Sequence, residues 1–486
     1  MDFSADELKQ LMQKGISKEK LLDQLNNYQR GFPYTKLIKP AIKEEGIVVL
    51  SEKDTKRLLA KYAKVEKDLD LLKFTPASGA ASRMLKFLHE ALNGKNFSDN
   101  IEIIKFFKEI SKFPFYDTLL SKNTKPGVDK SKTLDLLLNK KPFEFSNKPK
   151  GLIPFHLLNG DLRLSFEEHF AEGALYSNGK NGIRLHFTIS SDHEKMFKAE
   201  SKTLIQKYET KYGNAIDLTF SFQHENTDVV AVDMDNKPIG VEKKILFRPG
   251  GHGALIENLQ SLDADIIFIK NIDNVLPPNF HHDITRNKKL LAAILLSVSE
   301  TLFKLQHRFD KQGYSEELAT DVTKYAKNIF GLKIQLKNGL ELKEFLFKPI
   351  RVCGMVKNEG EPGGGPFWVE NNGEISLQIV ESSQIDLTNQ EQFKIYKEST
   401  HFNPVDLVCN INNYQGQKYK LQDFIDFESG FISEKSYQGS KIKVQELPGL
   451  WNGAMAKWHT LFVEVPLITF NPVKTINDLL KENHLV

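Results

Sequence analysis

The sequence predicts an α/β protein whose mainly parallel sheet is covered by helices, with a helical extension at its amino-terminal end. From about Phe74, short apolar runs alternate with amphipathic stretches, the order expected of β and α units wound onto a mainly parallel sheet. The run "IIFI" within "DIIFIKNID" is apolar without alternation, as a central strand covered on both faces would be. Before these units, "SADELKQLMQKGISKEKLLDQLNNYQRGF" has helical spacing, with Ser4 and Ser17 as N-caps and Gly15 and Gly31 as stops.

The remaining elements follow in order. "IDLTFSF" and "DVVAVDM" read as strands, and Asp233 to Asp235 with "NKPIG" as a hairpin turn. A helical block spans 288 to 331. Its most apolar part, "LLAAILLSVSETLFKL", is too short for a membrane span and holds Ser297, Ser299, Glu300 and Lys304, so it reads as a buried core helix. "PIRVCGMV", "ISLQIV", "VDLVCNI" and "TLFVEVPLITF" are further strands. They are broken by "EGEPGGGPF", a surface loop or a lid. Boundaries near 70 and 400 divide the chain into a helical extension (1–70), an α/β core (71–400) and a part that completes the core (401–486).

Composition narrows the function. With 66 Lys plus Arg against 63 Asp plus Glu, the net charge of +3 gives no field for nonspecific nucleic-acid binding, so any anion site is local. Cys353 and Cys409 are the only cysteines, in a chain too large to need disulfides, and no Cys/His spacing suits zinc. The first thirty residues lack the apolar block of a signal peptide. A reducing cytoplasm is the expected location.

Several stretches have residue types that suit phosphate chemistry. In "FTPASGAASRMLKF", Ser78, Gly79, Ala80, Ala81 and Ser82 let backbone N–H groups approach a ligand, a helix beginning near Ser82 adds its positive end, and Arg83 supplies a fork of donors. A tight strand-to-helix turn would use the same residues. It is neither a P-loop nor a dinucleotide fingerprint. Lys148 and Lys150 in "KPKGLIPF" precede a short apolar run, where a lysine can face a cleft or simply solvent. Gly250, Gly251 and Gly253 surround His252 ahead of a helix, permitting contact with a base or making a plain turn. Asp273 follows the buried strand, where ligands collect in open α/β sheets and a carboxylate can hold Mg²⁺, although an aspartate there also caps turns. Asp406, near His401 and Asn403, is a second hard-cation ligand or a loop residue bonding its own backbone. Lys474 in "TFNPVKTINDLL" stands just before a helix started by Thr475 or Asn477. His186, His193, His281 and His282 show no ligand spacing.

Taken in series, these pieces resemble the UDP-sugar pyrophosphorylases, within the sugar nucleotidyltransferases of the GT-A type. "PASGAASRM" is similar to that family's L-A-G-G-x-G-T-R-[LM] signature at Ala77, Gly79, Arg83 and Met84, with Ser82 for threonine and with Ser78 and Ala81 in place of glycines. "PGGHGALIENLQSLDADIIFIKNIDNV" resembles the nucleotide-binding segment and its metal-binding Asp-Asn turn, and "FNPVKTINDLL" resembles the F-x-P-V-K-x-x-x-D-L-L ending. The likeness runs from Phe74 to Leu480, with a large insertion between Arg83 and Lys150. The whole chain, including "GISKEKLLDQLNNYQRGFPYTKLIKPAI", also resembles a bacterial family called domain of unknown function 4301, typical of Bacteroidetes.

The resemblance implies Mg²⁺-dependent attack of a sugar 1-phosphate on the α-phosphorus of a nucleoside triphosphate, UTP by likeness, with pyrophosphate leaving. Arg83, Lys150 and Lys474 are its catalytic candidates. Ala77, Ser78, Gly79, Ala80, Ser82, Gly251, His252 and Gly253 are its nucleotide-binding candidates, and Asp273 and Asp406 its metal ligands. Ser78 and Ala81 leave a second expectation, a nucleotide or nucleotide-sugar binding protein of the same fold without turnover. A glycosyltransferase would use a D-x-D motif, a form that "DMD" at Asp233 to Asp235 has, although it reads as a hairpin turn.

Overall fold

The two amino-terminal helices, Ala5–Lys14 and Lys18–Arg30, begin where the Ser4 and Ser17 side chains accept the N–H groups of Glu7 and Lys20, and they end at Gly15 and Gly31. Gly15 has φ 66°, a left-handed conformation that glycine adopts without the Cβ clash of other residues. The apolar stripe of the pair, Leu11, Leu21, Leu25 and Tyr28, packs on Val230 and Val232. Tyr28 Oη donates to the Val230 carbonyl at 2.5 Å, which satisfies the one polar atom that this stripe buries.

The computed structural model describes residues 3–122, 125–242, 244–360, 363–371 and 373–485. Two compact units arise from interleaved segments. Unit one comprises Met1–Lys64, Gln223–Ile267 and Leu290–Pro466; unit two comprises Val65–Phe222, Phe268–Lys289 and Leu467–Val486.

In unit one, strand Gly46–Val48 runs parallel to His459–Glu464, which runs parallel to Ile350–Lys357; Asp406–Asn410 pairs antiparallel with the last of these. Ile350 to Val356 are all buried, as an unalternating strand requires. A three-stranded antiparallel sheet joins Lys36–Pro40, Gly365–Asn371 and Glu374–Val380, so the amino-terminal segment contributes strands as well as helices. Strand Val229–Val232 pairs antiparallel with Phe247–Arg248 and Ser440–Glu446. After it, Asp233 Oδ1 accepts the N–H groups of Asp235 and Lys237, both at 2.9 Å, so "DMD" forms a turn as its neighbours predict. Glu361 and Pro362 of "EGEPGGGPF" lie outside the described residues.

Unit two is built on the parallel strands Leu71–Pro76, Gly182–Ile189 and Ile216–Phe222. Leu71–Pro76 also neighbours Ile266–Lys270, the wholly buried strand in which the chain passes from one unit to the other. Helices Ser165–Tyr176 and Glu194–Tyr212 cover these strands through Phe166, Phe170 and Phe197, with Phe166 and Phe170 packed on Phe187 of strand Gly182–Ile189. The insertion between Arg83 and Lys150 folds as helices Lys86–Gly94, Ile101–Lys108, Tyr116–Ser121 and Lys130–Asn139 around Phe87, Phe106, Phe113, Phe115 and Phe145. Val473, Ile476 and Leu479 complete that core, so the insertion supports the segment that carries Lys474.

Helix His281–Gln312 buries Leu290, Leu291, Ala292, Leu295 and Leu302, the core role its composition predicts. Among the described residues, no helix is long and apolar enough to cross a membrane.

His186 is buried on strand Gly182–Ile189, with Nδ1 and Nε2 each 2.8 Å from the hydroxyls of Thr219 and Ser221 and its ring stacked on Phe74. Burial pushes its pKa down to about 4. A histidine neutral in the fold and free to protonate when unfolded contributes stability above the unfolded value of about 6.5, which is lost as pH falls toward the folded value. Urea midpoints between pH 7 and pH 4 should therefore fall, with His186 accounting for about 3 kcal/mol of the loss at about 1.4 kcal/mol per pH unit. His186→Asn should show a shallower dependence over the same window; an unchanged slope would contradict the burial argument.

Candidate functional site

Strand Leu71–Pro76 delivers the small-residue loop to the end of the unit-two sheet. The Ala77 N–H donates to the Thr188 carbonyl at 2.7 Å, extending the parallel ladder by one bond. Ser78, Gly79 and Ala80 then stand exposed, and a Cβ placed on Gly79 would meet open space. Their backbone is therefore accessible to a ligand. Ala80 pairs with Pro149, and the Lys150 N–H donates to the Gly79 carbonyl at 3.3 Å, so the loop and the Pro-Lys segment hold each other in place.

The helix expected near Ser82 begins instead at Lys86, with no side-chain cap at Leu85. The reason is tertiary. Met84 and Leu85 are buried, and the Met84 carbonyl accepts the Ile476 N–H at 3.1 Å, so residues 81–85 form turns fitted to the core. The loop thus offers amides without a helix terminus behind them. Arg83 is exposed on these turns.

At the end of strand Ile266–Lys270, the chain turns through Asp273 and Asn274 against residues 471–473. The Val473 N–H donates to the Asp273 carbonyl at 3.1 Å, and Asn274 Oδ1 accepts the Asn471 N–H at 2.8 Å. Asp478 Oδ2 accepts the N–H groups of Lys474 and Thr475 at 2.8 and 2.7 Å, capping the short helix Ile476–Leu480. That cap is the physical content of the spacing in "PVKTIND".

These turns bring three of the sequence-predicted residues together. Lys150 Nζ lies 2.7 Å and Lys474 Nζ 3.1 Å from the same atom, Asp273 Oδ2. The side chains of Asp273 and Lys150 are only 10% and 13% exposed, whereas that of Lys474 is 61% exposed and forms the looser arm. Burial pushes the Asp273 carboxyl upward, but Lys150 and Lys474 outweigh it and hold the group below the usual carboxylate range. Burial also lowers the Lys150 pKa, against the pull of Asp273. Asp273 Oδ1 is buried with no hydrogen-bond partner.

Directly behind Asp273 lies a polar cluster that sequence reasoning missed. The Ile272 carbonyl accepts bonds from Ser165 Oγ and, at 3.2 Å, from His169 Nε2. Glu172, three residues along the same helix face, takes Lys270 at 2.7 Å, Lys73 at 2.9 Å and the Tyr176 hydroxyl at 3.1 Å. Burial raises the Glu172 pKa, but the two lysines outweigh it and hold the group well below its ordinary value. Burial drives the Lys73 pKa down to about 7 and that of His169 well below 6.5. A signal was present: Lys73 in "LLKFTP" and Lys270 in "IIFIKN" interrupt apolar strands, and a buried lysine needs an acidic partner.

The remaining candidates belong to unit one. His252 stacks on Trp451 with ring centroids 4.2 Å apart, and its Nδ1 accepts the Leu450 N–H at 3.1 Å. A Cβ on Gly253 would fall 2.3 Å from the Pro448 carbonyl, and Gly251 has φ 74°. The glycines of this loop thus permit close approach of the 447–451 backbone. Asp406 is buried at the start of strand Asp406–Asn410, after a turn in which Asn403 Oδ1 accepts the Val405 N–H. Among the described residues, no group of three or more His, Cys, Asp or Glu side chains is arranged to hold a metal ion.

A family model described as a domain of unknown function (DUF4301) matches residues 4–485. No curated protein matches the sequence. Among solved structures, the uridine diphosphate N-acetylglucosamine pyrophosphorylase of Trypanosoma brucei aligns with a TM-score of 0.50 at 12% identity, over 96% of this chain and 76% of that one. The UDP-glucose phosphorylase of Trypanosoma brucei aligns with a TM-score of 0.46 at 14% identity, over 97% and 76% of the two chains. A UDP-glucose pyrophosphorylase of Leishmania major, in complex with UDP-glucose, aligns with a TM-score of 0.46 at 12% identity, over 99% and 79%. At such identities the first of these matches identifies a shared fold, the one expected from the sequence.

The cluster behind Asp273 is open to a stability test. Glu172→Gln leaves Lys73 and Lys270 buried without a counter-charge and should cost about 3–5 kcal/mol. Lys73→Met keeps the Glu172–Lys270 pair and should cost far less. Urea unfolding of the two variants at pH 7 compares them, and equal losses would show that Glu172 is not the hub.

Proposed function

The chain belongs to the DUF4301 family, and we propose that it is a sugar nucleotidyltransferase, joining a nucleoside triphosphate to a sugar 1-phosphate with release of pyrophosphate. The observation that supports this most is the meeting of Lys150 and Lys474, remote in sequence, at the Asp273 carboxylate beside an exposed small-residue loop. UTP is the expected triphosphate, by likeness of sequence motifs alone.

In this reading an oxygen of the sugar phosphate attacks the α-phosphorus, and the bond from that phosphorus to the oxygen bridging to the β-phosphorus breaks. The bonding pair leaves with pyrophosphate. The attacking phosphate is already ionised, so the site needs positioning and positive charge more than a base. Backbone amides of Ser78, Gly79 and Ala80 would hold the β and γ oxygens, with Arg83 as a bidentate donor. Lys150, the buried arm, would grip the α-phosphate, and Lys474, the exposed arm, the incoming sugar phosphate.

Mg²⁺ is usually held by one or two carboxylates together with substrate phosphates and water. A single buried carboxylate with an unpartnered oxygen, Asp273 Oδ1, fits that demand. Bound there, the ion would neutralise phosphate charge. Asp406 and the Gly251–Gly253 loop belong to unit one and are given no role in this reading.

One observation favours a second reading, a binding protein without turnover. The loop lacks a helix terminus, since the helix starts only at Lys86, and its grip on the leaving pyrophosphate is correspondingly weaker.

The purified protein, given UTP or another triphosphate, Mg²⁺ and a panel of sugar 1-phosphates, should release pyrophosphate. Lys150→Ala should lower that rate by about 10²–10³, the scale of losing one preorganised charge-stabilising group. Triphosphate binding by calorimetry with no release across the panel would favour the second reading. Neither binding nor release would overturn both.

A further inference from the structure

The charge arrangement of this site carries a consequence for how it is filled. Two ammonium groups converge on one carboxylate oxygen, while the other oxygen of the same carboxylate is buried and bonded to nothing. A carboxylate oxygen and a phosphate oxygen are equivalent partners for a lysine: both are anionic acceptors that take N⁺–H at about 2.7–2.9 Å. The two lysines thus already hold one anionic oxygen between them.

We infer that Asp273 is the internal counter-ion of a two-lysine oxyanion site, standing between Lys150 and Lys474 where a phosphate oxygen binds, and that a divalent cation at its free oxygen loosens it from the lysines. The inference rests on the reading of this site as a phosphate site. Its geometry separates two faces of one side chain. Oδ2 meets both lysines, and Oδ1 is buried without a hydrogen-bond partner. A cation at Oδ1 shares the carboxylate charge and weakens its hold on the ammonium groups, the exposed Lys474 arm first. Anion binding and cation binding are thereby coupled through a single residue, and each favours the other.

The distinguishing consequence is one of sign. If Asp273 served only to tie the two lysine segments together, removing its charge would weaken every function of the site. As an internal counter-ion, its removal leaves two adjacent ammonium groups whose repulsion an external anion relieves. Asp273→Asn should therefore bind inorganic pyrophosphate in EDTA at least tenfold more tightly than the wild type, and Lys150→Ala in the same background should abolish the gain. The wild type should require Mg²⁺ for comparable affinity. Calorimetry with pyrophosphate, with and without Mg²⁺, reads all of these; equal or weaker binding by Asp273→Asn overturns the inference.

A measurement on the wild type covers the case in which that variant does not fold. Mg²⁺ alone should raise the rate at which an amine-acylating reagent labels Lys474 severalfold, followed by peptide mass spectrometry, and an unchanged rate overturns the inference. The two readings fail separately. If wild type and Asp273→Asn both bind pyrophosphate with the same metal-free affinity, only the counter-ion role falls. If neither pyrophosphate nor a triphosphate binds under any condition, the reading of the site as a phosphate site falls with it.

Discussion

The constraint on which unit two turns is a buried carboxylate that needs positive partners. Asp273 is 7% exposed, and a lone carboxylate at that depth would either protonate or leave the interior. Lys150 and Lys474 keep it ionised, and to do so the segments that carry them must reach it. The Gly79 loop is bonded to Lys150, Met84 to Ile476, and Val473 to Asp273 itself, so a single charge cluster sits at a knot of backbone hydrogen bonds from four stretches of chain.

That knot has a polar floor and an apolar wall. The floor is the cluster of Ser165, His169 and Glu172 on one helix, which grips the Ile272 carbonyl and pairs with lysines from two adjacent strands. The wall is the helical insertion, whose phenylalanines pack among themselves and receive Val473, Ile476 and Leu479. On the proposed function, such support would preorganise the segments that carry the lysines for phosphate.

Legibility differed by the kind of signal. The caps at Ser4 and Ser17, the glycine stops, the buried strand "IIFI" and the Asp233 turn were read correctly from local pattern, because each is decided within a few residues. The helix start near Ser82 was misread. Local pattern permits it, but burial of Met84 and a bond from Ile476, almost four hundred positions away, prevail. Lys150, Asp273 and Lys474 were legible as a list only through likeness to a family, since no periodicity connects residues so far apart. The Glu172 hub was missed because a glutamate on a mixed helix carries no mark of its partners, although Lys73 and Lys270 in apolar strands hinted at one.

By itself, then, the sequence determined the α/β class, the order of most strands and helices, and the residue types available for binding anions. These depend on local backbone preference and on the period of apolar residues, which a linear chain displays directly. Only the tertiary structure decided that two lysines share one aspartate oxygen, that the other oxygen is left over, and that the glycines around His252 lie close against the 447–451 backbone. Such facts depend on distances between segments and on what burial does to a charge, and neither quantity exists until the chain has folded.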